Sequence, residues 1–293
     1  DMLVDTHAHV NFNAFREDED EVLQRALEND IWVMMPGSQY STSQRAVEIA
    51  ERYEKGVYAA VGLHPIHLGE KRRVDVLEVQ SEERRGGPWV SFHTAGEEFE
   101  YEKYKELAKS KKVVAIGEFG LDYYYKPKTK AKLERFKQKQ KEVFLKQLEL
   151  AKELDLPVIL HCRVAHDDMI EILDTRYKIQ NTELRGLVHC FTGTAEQAQK
   201  FIELGLYIGF NGLIFKNVPA LPNPAQVISS ISLDRIVLET DSPYLAPPQA
   251  GKERNEPLFV RYVAEGIARM KKLTLEQVAK ATAKNARELF GLR

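Results

Sequence analysis

His7 and His9 stand two residues apart at the end of a short apolar stretch, Leu3-Val4-Asp5-Thr6-His7-Ala8-His9. In an extended strand, side chains at i and i+2 project to one face. The spacing therefore predicts Asp5, His7 and His9 on the same side, with two imidazoles offered to a single cation. Taken alone the motif is equally that of paired surface or core histidines, and its weight comes from the other apolar runs. His64 follows the run 57–63, Glu118 lies in 113–119, His161 closes 157–161, His189 lies in 186–190, and Asp241 follows 235–240. Five of the chain's eight histidines fall at such ends, where random placement would scatter them over helices and loops.

Four imidazoles and two carboxylates suffice for two divalent cations if one carboxylate bridges. Glu118 is the natural bridge, with His7, His9 and Asp241 on one side and His161 and His189 on the other. Two cations about 3.5–4 Å apart lower the pKa of a shared water and stabilise charge on the oxygen under attack, which is hydrolytic chemistry. Asp241 is placed to orient that water and take its proton. Imidazole-rich sites favour Zn and its neighbours, while a bridging carboxylate and waters suit Mn or Mg. Ligand chemistry alone leaves the metal open; the expected cofactors are two or three divalent ions, with Mg, Mn and Zn as the candidates.

Such residues need a frame that brings strand ends together. Eight apolar runs, at 2–10, 31–36, 57–63, 113–119, 157–161, 186–190, 206–211 and 235–240, alternate with amphipathic stretches through the 293 residues. Near-continuous runs such as Ile236-Val237-Leu238 suit strands buried on both faces. Ser41 with Gln44, Thr194 with Gln197 and Thr274 with Gln277 read as capping boxes. The alternation predicts an α/β fold, a (β/α)8 TIM barrel in one domain over residues 1–293, with the stretch 274–290 packed outside it. Functional groups of such barrels gather at the carboxyl ends of the strands.

A hydrophobic content of 43% and a charged content of 29% predict a soluble globular protein, and no apolar run approaches the roughly 20 residues that span a bilayer. The first residues show no basic and apolar leader, so a cytoplasmic location is expected. The two cysteines, Cys162 and Cys190, each follow a histidine in an apolar run, a pattern of small buried residues and not of a disulfide framework. A net charge of -2 argues against broad coating of nucleic acid but permits gripping a few phosphates in a cleft. Two segments break the rhythm. Residues 69–99 form a long polar insertion, to be read as a lid or as a floppy loop. Residues 126–141 hold eight Lys or Arg in sixteen positions, either a solvated helix face or a patch that tracks phosphates.

The pieces Asp5-Thr6-His7-Ala8-His9, Val61-Gly62-Leu63-His64-Pro65, Gly117-Glu118-Phe119-Gly120-Leu121-Asp122-Tyr123-Tyr124, His161-Cys162-Arg163, His189-Cys190-Phe191-Thr192-Gly193, Glu239-Thr240-Asp241-Ser242-Pro243-Tyr244-Leu245 and Arg254-Asn255-Glu256-Pro257 resemble, in order, the motifs of the TatD family of metal-dependent deoxyribonucleases. The resemblance implies an amidohydrolase-type barrel with one to three metal ions that hydrolyses DNA phosphodiesters, often as a 3′ to 5′ exonuclease preferring single strands. It assigns metals to His7, His9, Glu118, His161, His189 and Asp241, gives Asp241 the catalytic role, and sends His64 and Arg163 to the substrate phosphate. The insertion within 69–99 departs from the family's usual connection and bears on substrate access. DNA is thus the expected partner, with no membrane and no protein partner implied.

Read from the residues alone, His64 before Pro65 is either a phosphate donor or a turn histidine. Arg163 shares a strand face with His161, where a guanidinium matches phosphate geometry. Glu239 shares a face with Asp241 as a hydrogen-bonding partner of a ligand or a paired structural carboxylate, and Tyr123 and Tyr124 offer a stacking surface or simple packing. His67, His93 and His166 receive no role. Because a barrel with a metal centre does not fix the substrate, hydrolysis of a small cyclic amide, lactone or phosphate ester stands as the alternative, and a non-catalytic metal or nucleic-acid binder as a third reading.

Overall fold

The computed structural model describes residues 2–69, 73–75, 91–94, 96–178, 184–251 and 254–292. In chain order the strands are β1 (Leu3–Asp5), β2 (Ile31–Pro36), β3 (Val57–Val61), β4 (Arg73–Asp75), β5 (Ser91–His93), β6 (Val113–Asp122), β7 (Val158–Arg163), β8 (Gly186–His189), β9 (Leu206–Phe210) and β10 (Ile236–Leu238). The helices are α1 (Glu19–Glu28), α2 (Tyr40–Ala50), α3 (Tyr101–Leu107), α4 (Lys130–Glu153), α5 (His166–Leu173), α6 (Ala195–Glu203), α7 (Pro224–Ser230), α8 (Val260–Lys271) and α9 (Leu275–Phe290). Eight strands form one parallel sheet in the order β1-β2-β3-β6-β7-β8-β9-β10. Its edges are joined by Thr6 N donating to Leu238 O at 2.9 Å and Asp241 N donating to His7 O at 2.8 Å. This is the expected (β/α)8 TIM barrel.

Below their carboxyl ends the strands are apolar on both faces because both are covered. Outward residues such as Val33, Val61, Leu160 and Val188 pack with the helix side chains Leu23, Ile49, Phe144 and Phe201. The alternate set, Val4, Met34, Ala60, Ala115, Ile159, Leu187 and Val237, comes from seven different strands and meets in one cluster, which only the barrel interior permits. Ala283, Ala286, Leu289 and Phe290 of α9 belong to that same cluster. The last helix therefore plugs the amino-terminal mouth of the barrel instead of packing on its outer wall, and leaves the other mouth to the polar residues.

Local departures from expectation have local causes. β1 ends at Asp5. Beyond it the chain keeps a bond from Ala8 N to Met34 O at 3.0 Å and an isolated bridge between Ala8 and Ser242. The strand expected to close at residue 119 runs to Asp122, because β6 and β7 remain paired as far as Asp122 opposite Arg163. The cap of α2 is Gln39, whose N donates to Thr42 Oγ1 at 3.0 Å, because Glu97 Oε1 takes Tyr40 N at 2.9 Å and starts the helix ahead of Ser41. The boxes at Thr194 and Thr274 form as read. Within the polar insertion β4 and β5 pair as an antiparallel hairpin; residues 70–72, 76–90 and 95 lie outside the described residues. No helix among the described residues is long and apolar enough to cross a membrane.

Candidate metal centre

The inward phase of each strand, followed toward its carboxyl end, leads to the polar mouth. Ile159 faces inward, so His161 and Arg163 do too; Leu187 leads to His189, and Val237 to Glu239. β6 reaches the mouth differently. Gly117 pairs with Ile159 but Phe119 pairs with Leu160, leaving Glu118 as an extra residue in the ladder. A bulge of this kind re-aims the side chain it carries, and here it brings Glu118 to the centre from within a strand while Phe119 turns to the outer core.

Glu118 presents one oxygen to each of two groups. Its Oε2 lies 3.2 Å from His7 Nε2 and 3.6 Å from His9 Nε2. Those two nitrogens are 3.1 Å apart, and Asp241 Oδ1 is 3.4 Å from His9 Nε2 and 3.9 Å from His7 Nε2. Its Oε1 lies 2.9 Å from His161 Nδ1, 3.5 Å from His64 Nε2 and 3.8 Å from His189 Nε2. Asp241 Oδ1 also stands 3.8 Å from His189 Nε2. All seven of these side chains thus meet at one place. Asp5 does not join them: with β1 ending at Asp5, its carboxylate turns to the seam with β10 and accepts from Thr240 N at 2.9 Å, Thr240 Oγ1 at 2.6 Å and His7 N at 3.2 Å.

The outer nitrogens decide what the inner ones are. His9 Nδ1 lies 3.1 Å from Pro36 O, a group that only accepts, so Nδ1 carries the proton and Nε2 is a bare lone pair. His161 Nε2 lies 3.0 Å from Asp122 Oδ2, and His189 Nδ1 contacts Glu239 Oε2. Both arrangements hold the remaining nitrogen inward, where it would offer its lone pair to a cation, the carboxylate–histidine pattern typical of metal ligands. Lone pairs aimed at two carboxylates repel unless a cation lies among them. Ligand atoms arranged tetrahedrally about 2.0–2.1 Å from one ion lie roughly 3.4 Å apart, and the His7, His9, Glu118 and Asp241 atoms are spaced at that scale. The donor set thus fits a metal centre. His7, His9 and Asp241 form one group, Glu118, His161 and His189 another.

Electrostatics agree. Burial would raise Glu118, yet His64, His7 and His189 hold its carboxyl well below the usual range. Burial would also raise Asp241, but His189, His9 and His7 hold it low. His189, which burial alone would depress, is lifted to about 10 by Glu239, Asp241 and Glu118. Burial pushes His64 down, with His161 adding to the effect, and pushes His7 to about 4, reinforced by His189. His7 and His64 are thus held neutral by burial, while carboxylates raise His189 and, through Asp122 and Glu118 acting against its burial, His161; a divalent ion would take the place of the protons these two hold.

Arg163 stands one step away. Its Nε is 3.2 and 3.1 Å from the two oxygens of Asp122, and an Nη lies 3.0 Å from Asp122 Oδ2. Asp122 was given no role from sequence, though it is the residue that joins His161 to Arg163. The available signal was its place in the Gly120-Leu121-Asp122 run, but only the β6–β7 register puts it opposite Arg163. Glu239 proves to be the partner of His189. Asn255 holds the loop carrying Asp241, its Nδ2 donating to Thr240 O at 2.9 Å and Tyr244 O at 2.6 Å, and Arg254 and Glu256 tie that loop to Asp18 and Arg25.

Residues 4–291 match the family described as TatD related DNase. The Bacillus subtilis protein named uncharacterized metal-dependent hydrolase YabD is 38% identical over 99% of both chains. The Erwinia amylovora protein named 3′-5′ ssDNA/RNA exonuclease TatD is 33% identical, over 99% of this chain and all of its own. The crystal structure of YJJV, a TatD homolog from Escherichia coli K12, superposes with a TM-score of 0.77 at 29% identity, over 99% of this chain and 98% of that one. With family motifs, fold and convergent donors in agreement along the whole chain, this protein belongs to the TatD related DNase family and is a metal-dependent hydrolase.

Proposed function

We propose that the protein hydrolyses phosphodiester bonds of DNA, working from the 3′ end of single strands. The observation that carries this reading is the position of Glu118, one oxygen toward His7 and His9 and the other toward His161 and His189. In this reading His7, His9, Glu118 and Asp241 hold one divalent ion, and Glu118, His161 and His189 hold a second. When bound, such ions lower the pKa of a water and offset charge on the phosphoryl oxygens. Asp241, kept ionised by its histidine neighbours, orients the attacking water and accepts its proton. The water oxygen bonds to phosphorus, the bond to the leaving oxygen breaks, and that oxygen takes up a proton. Arg163 meets the substrate phosphate with the guanidinium edge that Asp122 holds in place, and His64 donates to it from the neighbouring loop. Glu239 and Asp122 keep the rings of His189 and His161 turned inward. The name of the Erwinia relative supports the choice of substrate.

The test is a 5′-labelled single-stranded oligonucleotide incubated with the protein and Mg or Mn. Progressive shortening from the 3′ end is expected, and the Asp241→Asn form should leave the strand whole. An intact strand in the presence of fully metal-loaded wild-type protein overturns the reading.

A further inference from the structure

The rim beside the metal centre carries charge that the fold itself does not use. Six cations, Lys126, Lys128, Lys130, Lys132, Arg135 and Lys139, lie in the loop after β6 and on the first turns of α4, and all six are exposed. Among the described residues none of them lies within 4.0 Å of a carboxylate. Lys137 and Lys141, by contrast, reach Asp168 at 3.6 and 3.2 Å. Lys130 and Lys132 also occupy the first turn of α4, which has no acidic residue. Cations are disfavoured at a helix amino terminus, so this placement works against the helix. Spacings of three, four and seven put Lys132, Arg135 and Lys139 on one stripe.

The patch runs directly into an aromatic step at the mouth. Tyr124 is 40% exposed and Val164 56%, and the only other large hydrophobic residue so exposed among the described residues is Leu275. The Arg163 guanidinium lies 4.4 Å from the Tyr124 ring centre and 5.1 Å from that of Tyr125, and Tyr123 N donates to Arg163 O at 2.9 Å, fastening the two loops together. From the centre outward the order is therefore His161, Asp122, Arg163, Tyr124, and then the free cations. A stacking face followed by a run of positive charge is how proteins hold single strands without reading sequence.

We infer that Tyr124 and the cations from Lys126 to Lys139 form the track for single-stranded DNA 5′ of the cleaved phosphate, Tyr124 stacking a base and the lysines following the backbone. The inference rests on the exonuclease reading for its polarity but not for its occupant. It also explains how a chain of net charge -2 grips a polyanion: the positive charge is concentrated on one helix entrance.

The experiment uses the metal-loaded protein and 5′-fluorescein-labelled dT20 carrying phosphorothioate linkages at its 3′ end, so that binding is read by anisotropy without turnover. In the variant Lys128→Gln, Lys130→Gln, Lys132→Gln, Arg135→Gln, affinity should fall at least about ten-fold near 0.1 M salt, and the slope of log K against log salt should drop by about 0.7 for each contact removed. Turnover of bis-p-nitrophenyl phosphate, too short to reach the track, should stay at the wild-type value. Tyr124→Ala should weaken dT20 by roughly ten-fold and leave an abasic strand of the same length unaffected. An unchanged slope in the quadruple variant overturns the track, as does an equal loss for duplex DNA and heparin, which would mark a general polyanion patch. Lysine-dependent binding by a wild-type protein that shortens no DNA supports the track and overturns the exonuclease reading instead.

Discussion

Glu239 occupies the space left by the missing side chain of Gly209: a Cβ at Gly209 would stand 1.6 Å from Glu239 Oε1. Gly209 pairs with Val237 and so faces the barrel interior, directly below the carboxylate that contacts His189 Nδ1. A methyl group there must displace Glu239 or open the strands. Gly209→Ala is therefore expected to release the His189 ring and weaken metal affinity by about 10- to 100-fold, the usual cost of losing a partner to a ligand. Metal titration followed by calorimetry checks this, with circular dichroism to confirm that the barrel persists.

Glu118→Gln removes the negative charge that both histidine groups face. The amide keeps the shape but brings N–H donors toward imidazole lone pairs. Metal content by elemental analysis should fall by at least one ion per chain, and hydrolysis should fall with it. Full metal content in this variant would rule out Glu118 as the shared ligand.

Asp122→Asn and Arg163→Ala should separate two roles that meet at one carboxylate. The first leaves His161 Nε2 without its charged acceptor and should lower metal affinity about 10- to 100-fold. The second leaves His161 held by Asp122 and should raise KM for DNA with little change in metal content.

His166 enters the fold neutral, since burial pushes it from 6.5 to about 4, with Asp167 pulling it back and His161 pushing it further. It packs against Phe191 and Phe201, and its Nε2 is buried without a hydrogen-bond partner. Below pH 6.5 the unfolded chain gains a proton here that the folded chain refuses until about pH 4. Stability from this group is thus complete above pH 6.5 and lost as pH falls through that window. The loss amounts to roughly 3 kcal/mol at the acid end. His166→Leu should flatten the dependence of the urea midpoint on pH by that amount.

Phe290→Ala tests the plug. Truncating a buried phenylalanine costs about 3–5 kcal/mol, and Phe290 lies in the barrel-interior cluster at the mouth opposite the metal centre. Urea unfolding should show the loss while metal stoichiometry remains that of the wild type.

The barrel was legible because parallel strands covered on both faces are apolar up to their carboxyl ends, so the runs around Val158 and Ile236 stand out without any periodicity. The convergence of His7, His9, Glu118, His161, His189 and Asp241 was legible because each stands in or just past the last part of such a run. Register was not. Asp122 drew no role because nothing in its neighbourhood reveals that it faces Arg163, and the bulge that turns Glu118 inward has no mark in local composition. α9 has an amphipathic pattern that fits a wall helix as well as a plug; what separates the two is which strand faces it meets. The β4–β5 hairpin escaped because Arg73-Val74-Asp75 and Ser91-Phe92-His93 alternate over only three residues, too few to stand out as strands.

The bulge at Glu118 has a lasting consequence for how this barrel can change. The shared carboxylate is anchored four residues upstream of the end of β6 at Asp122, inside the hydrogen-bonded wall, so lengthening or exchanging the connections above it leaves its position untouched. Descendants of this chain are free to swap what they recognise by rebuilding surface segments such as 126–129, while inheriting an unaltered reaction chamber beneath.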